Sequence, residues 1–472
     1  MVNDRLIHVF DLEHHEQAAL DALVVQWRAK RPRNNLRAAF YDMKNSERSL
    51  MSGQIPAVIR RRKFVLGWSA IAVDKLARRT NLENFYDANG VDLGQFGVAE
   101  YMRQNRMVQE ISQAGTSSLI HAVSFLVTTL GDTAAGEPKA LTLATDATTS
   151  TGTWSRRLRA VDSFLSMHAF DDKGEPVDMT MYLPNVNVMM VKDAGKWTVT
   201  RRPHIYGVPV DPMRYKARLG RPFGSSRITR TVMSVHMQAL SAMIRADVNG
   251  EAYSLPRFVL LGATEQAFKN ADGSPKAAWQ AAWDAVWAVG DDEELLKSQA
   301  PNLARADVKQ FNGQSPEPQN AHFRMLAQTL SGETGVPIGE LGIMGDANPT
   351  SAEALLVSRD DLIAEAGVTT DGWGDDVASA ARRGLLMWND GDIPDDLDLR
   401  ANWRPPAHVS RAQAADAGSK VIDKLPWLAE TEVGLELMGL TPDQARRAAA
   451  ERKRAVGRAV LDRLAPDSGD ES

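Results

Sequence analysis

Gly335-Val336-Pro337-Ile338-Gly339-Glu340-Leu341-Gly342-Ile343-Met344-Gly345-Asp346-Ala347-Asn348-Pro349-Thr350-Ser351-Ala352-Glu353-Ala354 is the stretch on which the reading of this chain turns. Four glycines and two prolines lie between Gly335 and Pro349, and that density forbids a continuous helix or strand. Ser351 followed by Ala352, Glu353 and Ala354 then opens a helix: a hydroxyl to cap orphan N–H groups, strong helix formers and an early acid. The stretch is a loop that ends in a helix start, and it carries no catalytic motif.

Composition sets the outer bounds. At 472 residues the chain has room for about three average domains, or for one elongated body with several sub-cores. Hydrophobic residues make up 43%, and no apolar run approaches the roughly 18 residues of a membrane span. Met1 to Asp11 carries acids and a histidine instead of a basic start and an apolar core, so no signal peptide is expected. Cysteine is absent, which excludes disulfides, thiolate zinc sites and cysteine nucleophiles and fits a protein folded in cytoplasm. The net charge of −5 is unlike that of a sequence-specific DNA binder, whose affinity rests on neutralising phosphates.

Working outward from the loop, a short helix is predicted over Gln319 to Thr334 before it. A helical stretch from Ser351 to Trp388 comes after it, broken at Gly367, Thr369, Thr370, Gly372 and Gly374, where glycine and β-branching weaken a helix. Asp396 to Trp403 reads as a strand closed by Pro405 and Pro406. A helix from about Ser226 to Val248 carries two apolar stripes. One is Ile228, Val232, Val235, Ala239, Ala242 and Ala246; the other is Met233, Met237, Leu240 and Ile244. Two stripes predict burial against neighbours on both sides, with Val232, Val235, Met237, Ala239 and Leu240 at a subunit interface. Between this helix and the next lies a compact insertion from about Leu255 to Ser315, with Trp279, Trp283 and Trp287 on one helix face; packing explains that row better than base stacking.

Further out, Leu20, Leu23, Val24 and Trp27 give a helix from Glu16 to Arg28 that Pro32 stops. A second helix is predicted over Ala57 to Arg79, with Val65, Trp68, Ile71, Ala72 and Leu76 on one face and Arg60-Arg61-Arg62-Lys63 as a solvated charge run. A third covers Val98 to Gln113, and Leu119 to Val127 is ambiguous between helix and strand. From about Ala140 to Arg202 short β-rich runs, among them Met179–Leu183, Asn185–Val191 and Trp197–Thr200, are separated by Asp171–Gly174 and Asp193–Lys196 and predict an antiparallel meander. At the far end Thr441-Pro442-Asp443-Gln444 opens a helix. In that helix Arg446, Arg447, Arg452, Lys453, Arg454 and Arg458 make a basic surface in an acidic protein, a candidate for DNA contact or for pairing with acids of adjacent helices.

Catalytic constellations are missing. His14 and His15 diverge by about 100° on a helix, and no His-Glu-x-x-His occurs. Asp390, Asp392, Asp395, Asp396 and Asp398 read as a polar turn, because an EF-hand needs glycine where Asp395 stands. Gly339, Gly342 and Gly345 lack the Rossmann spacing, Gly195-Lys196 lacks the rest of a P-loop, and no Gly-x-Ser-x-Gly is present. No enzyme, no metal and no cofactor are expected.

The loop and its surroundings resemble the portal proteins of tailed double-stranded-DNA bacteriophages, of the siphophage type. The likeness rests on Gly335-Val336-Pro337 ending one helix and Ser351-Ala352-Glu353-Ala354 opening another. Phe40-Tyr41-Asp42 with Asn45, Val65-x-x-Trp68-x-x-x-Ala72-Val73-Asp74, and Tyr182-Leu183-Pro184 after a hairpin add to it, and the succession covers residues 30 to 465. It implies an α+β portal fold, mainly helical with a β-rich wing. Residues 1–225 would be the wing with its meander at about 140–202, 226–254 the first stem helix, 255–318 the clip and 319–336 the second stem helix. The channel loop would take 337–350, a long kinked helix and a strand returning to the wing 351–407, and a helical crown and tail 408–472. Leu341, Gly342, Ile343, Met344, Gly345, Asp346, Ala347 and Asn348 would face the channel, and they include no lysine or arginine, a departure from a basic ring facing DNA.

The resemblance further implies a homo-oligomeric ring of about twelve subunits at one capsid vertex. Double-stranded DNA would pass through it, without sequence specificity, during packaging and ejection. Terminase, a head-completion adaptor, and the major capsid and scaffolding proteins would be its partners, the virion its place, after assembly in the host cytoplasm, with no membrane. With no P-loop the chain would be the conduit and not the motor. The rivals are another non-catalytic head or minor capsid assembly protein, expected to be more β-rich, and a hydrolase, expected to show a convergent polar cluster in a pocket.

Overall fold

The computed structural model describes residues 6–44, 61–253, 257–261, 274–275, 307–311, 315–343, 359–407 and 411–440, together with 444–445, 447–449, 451–452 and 454–455. The chain divides into two compact units. One comprises Met1–Asn35, Val73–Arg227 and Asp360–Ser472; the other comprises Leu36–Ala72 and Ile228–Arg359.

The first unit is built on antiparallel sheets. Strands β4 (Ser150–Ser155), β5 (Ala160–Phe170), β6 (Pro176–Leu183), β7 (Val186–Asp193) and β8 (Lys196–Pro203) form the predicted meander, paired in sequence order. Alternation puts Leu165, Met167, Met179, Met181, Val188 and Met190 on one face, where they pack with Leu20, Leu23, Val24 and Trp27 of α1 (His14–Tyr41). Helix α1 does not stop at Pro32 as the sequence predicts. A proline inside a helix costs about 3 kcal/mol, but the turn after β3 (Ala140–Asp146) holds the helix on both sides of it. Trp27 Nε1 donates to the Thr148 carbonyl and Asn34 Nδ2 to the Ala147 carbonyl, each at 2.7 Å.

A three-stranded sheet sets β2 (Val123–Leu130) between β3 and β9 (Val210–Arg214). The expected helix over Val98 to Gln113 is two helices, α3 (Val98–Gln104) and α4 (Met107–His121). Arg106 turns the elbow at φ 48°. Beside it the buried Asn105 accepts from the Thr142 N–H at 2.8 Å and donates to the Ala140 carbonyl at 2.9 Å, taking the place of a peptide along β3. The ambiguous segment Leu119 to Val127 is helix as far as His121 and strand from Val123, with Ala122 left-handed between them.

Helix α7 (Asp360–Trp388) runs unbroken through the glycines and threonines where the sequence predicts a break. Thr369 and Thr370 turn their hydroxyls onto the carbonyls of Glu365 and Ala366, and Leu362, Ala366, Trp373, Val377, Ala381 and Leu385 are buried along one face. That packing outweighs the weak propensity of the stretch. Trp373 lies against Gly115 of α4, where an added Cβ would come within 2.9 Å of the ring. Strand β12 (Leu399–Trp403) pairs antiparallel with β1 (Leu82–Asp87). Asp390 and Gly391, both at positive φ, make the aspartate cluster the polar turn that the sequence suggests. The C-terminal part holds α8 (Arg411–Lys424), a 3-10 turn at Pro426–Glu430 and α9 (Glu432–Leu437).

The second unit is centred on α5 (Arg230–Tyr253) and α6 (Glu317–Thr334), which pack side by side. They run antiparallel: Thr229, before α5, donates to Glu333 near the end of α6 at 3.0 Å. After α5 the chain leaves along β10 (Arg257–Leu261) and returns along β11 (Asp307–Phe311), an antiparallel pair. The tryptophan row at 279, 283 and 287 is outside the described residues. Helix α2 (Trp68–Ala77) begins later than predicted; residues 61–67 are not helical and Val65 is 56% exposed, not on an apolar face. Within the charge run before it, Arg62 pairs with Asp247 at 2.6 Å. No helix among the described residues is long and apolar enough to cross a membrane.

Candidate functional site

The Gly-rich loop is entered through a built terminus. Gly335, at φ 65°, caps α6 by donating to the Ser331 carbonyl at 2.8 Å, after which Val336 is fully buried. A short 3-10 turn, Ile338–Leu341, comes next and is closed by Gly342 at φ 82°. Leu341 is only 5% exposed, and its carbonyl accepts from Trp68 Nε1 at 3.3 Å. Phe323 of α6 lies against the same indole, with ring centroids 4.8 Å apart. Leu341 is therefore an anchor buried in its own unit. Gly342 meets nothing within 4 Å of where a Cβ would stand, and Ile343 is half-buried. Met344 to Asn348 lie outside the described residues. Where the chain is described again, Arg359 pairs with Glu340 at 2.8 Å. The two ends of the segment 341–358 are thus pinned side by side.

The expected interface residues sit differently from their sequence reading. Val232, Val235, Ala239 and Leu240 are all buried within a single chain, and Ile244 with them, so both stripes of α5 are largely covered by the chain itself. The reason is a residue the stripes skip. His236 lies between them in projection, is itself buried, and contacts Ser69 Oγ through Nδ1 at 2.8 Å and the edge of Phe40 at 5.3 Å. The two stripes merge into one wide buried arc centred on that imidazole. Burial pushes its pKa down to about 4, so it is neutral near pH 7. Of the predicted interface set only Met237 is half-exposed, beside the half-buried Met233 and the exposed Thr231, Ser234 and Gln238.

In the first unit the structure assembles a polar seam that sequence reading missed. Along α7, Glu365, Asp376, Ser379 and Arg383 face β9 and the segment after it. Glu365 receives Tyr215 Oη, Arg227 and, at 2.6 Å, Lys216. Asp376 faces Arg214 at 3.1 Å, and Asp211 takes Arg383 together with Ser379 Oγ at 2.8 Å. Burial works against the charge on Glu365, but Arg227, Lys216 and Tyr215 outweigh it and hold the carboxyl low. At Asp376 burial prevails over Arg214, and Asp211 and Asp375 add to it, so its pKa rises to about 7. The spacing of Asp376, Ser379 and Arg383 on one helix face is the only sequence signal, and the partners lie more than 100 residues away.

Of the basic C-terminal residues, Arg447, Arg452 and Arg454 are described, and all are exposed; Arg446, Lys453 and Arg458 lie outside the described residues. Arg452 pairs with Glu430 at 2.8 Å. Among the described residues no group of His, Asp and Glu is arranged to hold a metal ion.

Comparison with known proteins meets this architecture at family level. The model of a family described as phage portal protein, SPP1 Gp6-like, matches residues 22–457. The portal proteins of Mycobacterium phages D29 and L5 are each 25% identical to this chain over 257 residues, which is 54% of this chain and 50% of theirs. The chain therefore spans about half the length of the curated relatives it matches. A chain from the virion of a native gene transfer agent particle aligns with a TM-score of 0.38 and 13% identity, covering 76% of this chain and 85% of that one. With the family model running through both units, from α1 to the basic residues at the C-terminus, the chain belongs to the phage portal protein family.

Proposed function

We propose that this chain is the subunit of a ring of about twelve copies at one capsid vertex. Double-stranded DNA would be packaged and ejected through the channel, with terminase and then a head-completion adaptor docking on the ring, and capsid and scaffolding proteins around it. The observation that carries the reading is the family match over nearly the whole chain. The second unit fits it: two antiparallel helices as a stem, an excursion on β10 and β11 as the clip, and a loop at 337–350, pinned at its base, as the channel element. The meander serves as wing, and the chain from α8 to the C-terminus as crown.

The chain is a conduit and not a motor, and chemistry is not its task. Twelve chains of −5 sum to about −60, and such a field disfavours static binding of DNA. The loop, without lysine or arginine from Leu341 to Asn348, adds no phosphate anchor. Of the two readings of the basic C-terminal helix, the Arg452–Glu430 pair favours ion pairing between helices over contact with DNA. Negative-stain imaging of the purified full chain tests the proposal: rings with a central hole are expected, and compact monomers at every concentration would overturn it.

A further inference from the structure

The hairpin made by α8, the turn Pro426–Glu430 and α9 is tightly built yet has almost no interior. Among its described residues only Gly418 and Gly434 are buried. Both are backbone-to-backbone contacts. A Cβ at Gly418 would lie 2.4 Å from the Leu437 carbonyl oxygen, and one at Gly434 would lie 1.9 Å from that of Leu428. Thr431 caps α9 by accepting from the Gly434 N–H at 3.1 Å. The hairpin is therefore a formed element and not a loose end.

Ile422, Leu428, Leu435 and Met438 are half-buried, but five other large apolar side chains are exposed. Trp427 is 64% exposed and Val433 59%, with Leu425, Leu437 and Val421 close to 40%. Val433 and Leu437 are four residues apart on α9 and make one apolar pair, while Val421 on α8, Leu425 just past its end and Trp427 line the turn that joins the two helices. An amphipathic helix gains its stability by covering such a face, and a cluster of this kind on a finished element marks a contact surface.

Charge identifies the occupant. Arg447 and Arg454 are exposed and have no acidic partner among the described residues, while Asp423 on α8 has no basic one. An ion pair between Arg452 and Glu430 joins the basic segment to the turn that carries Trp427. Each chain thus holds both halves of a complementary pair of surfaces. Two different, complementary surfaces on one chain are what a closed head-to-tail ring uses. We propose that this hairpin is a ring contact, with Trp427, Val421, Leu425, Val433 and Leu437 seated on the next copy of this chain and Arg447 and Arg454 reaching its acids. The proposal rests on the ring reading above and adds the contact that closes it.

The chain has no cysteine, so a single introduced thiol reports on one position. Full-length chain carrying Val433→Cys is treated with a maleimide as assembled rings and after dissociation, and Leu158→Cys, 69% exposed between β4 and β5, serves as reference. The expected result is a thiol at 433 that reacts several-fold more slowly in rings than in dissociated chain. Equal, fast reaction in both states overturns the contact while leaving the ring reading intact, and equal, slow reaction shows the chain covering itself and overturns it too. In parallel, Trp427→Ser should leave thermal unfolding of the dissociated chain unchanged and make rings fall apart at higher protein concentration than wild type; rings of undiminished stability would count against the proposal. Absence of rings from wild-type protein removes both readings together.

Discussion

Glu340 and Arg359 meet at 2.8 Å although nearly twenty residues separate them in sequence, and the Gly-rich loop lies between them. The pair closes the base of that loop in the same unit where Trp68 holds the Leu341 carbonyl. Arg359 is about one-third exposed, so the pair stabilises the unit by only about 0.5–1 kcal/mol. Its value lies in holding residues 340 and 359, which flank the segment 341–358, side by side. Glu340→Arg should leave ring formation and thermal unfolding nearly unchanged, speed proteolysis within the loop, and impair DNA packaging or retention. Combining it with Arg359→Glu should restore both. Packaging unaltered by the single reversal would show that the loop base has no part in passing DNA.

Two buried groups, one in each unit, should contribute to the pH dependence of stability with opposite signs. His236 titrates near 4 in the fold and near 6.5 when unfolded, so between those values the unfolded chain takes up a proton that the fold refuses. Acidification through that window destabilises the second unit, by on the order of a few kcal/mol once complete. Asp376 is displaced upward, to about 7 from an ordinary 3.8, so the folded first unit keeps its proton longer than the unfolded chain does. The stability that Asp376 contributes falls as pH rises from about 4 to 7. Thermal melts of His236→Gln and Asp376→Asn should each flatten one of these slopes and leave the other. Slopes identical to wild type in either variant, or a change of the opposite sign, would refute the assignment of that group.

Helix α7 and α3 touch at a point that admits no side chain. A Cβ on Gly384 would lie 2.0 Å from the hydroxyl oxygen of Tyr101, which is fully buried and hydrogen-bonded to Thr142 Oγ1 at 2.6 Å. Gly384→Ala should therefore cost about 3 kcal/mol or more, since a rigid buried ring must move and a buried hydroxyl loses its partner. The variant with Tyr101→Phe should recover part of that loss. Denaturant unfolding within about 0.5 kcal/mol of wild type for Gly384→Ala would contradict this packing.

What the sequence made legible was local. The meander announced itself through alternation and through Asp171–Gly174 and Asp193–Lys196, because a strand with one buried face must alternate and a hairpin needs its turn. The helix end at Gly335 and the paired elements around 226–334 were readable for the same reason. The misses are tertiary. Pro32 stays inside a helix because Thr148 and Ala147 hold its flanks, and no local signal reveals a carbonyl more than 100 residues away. Asn105 breaks a helix because its amide stands in for a peptide along β3, and the seam along α7 is invisible until β9 is laid beside it. Local pattern fixes elements; the side chains that join them are read only from contacts.

The reading of α5 shows the same boundary and leads to a test. Two apolar stripes suggested a helix shared between subunits, with Val235 among the residues at the interface. Val235 is instead 5% exposed within the single chain, in the arc centred on His236. Val235→Asp should then act on folding: a buried, unpaired carboxylate costs several kcal/mol, and the unit should melt early whether or not rings are present. Met237, half-exposed at the rim of that arc, is where a neighbour could reach. Met237→Asp should leave the dissociated chain folded, within about 1 kcal/mol of wild type, and shift rings toward smaller species in light scattering. If Val235→Asp disperses rings while the chain stays folded, or if Met237→Asp leaves rings intact, α5 faces its neighbours differently and the interface must be sought elsewhere along the chain.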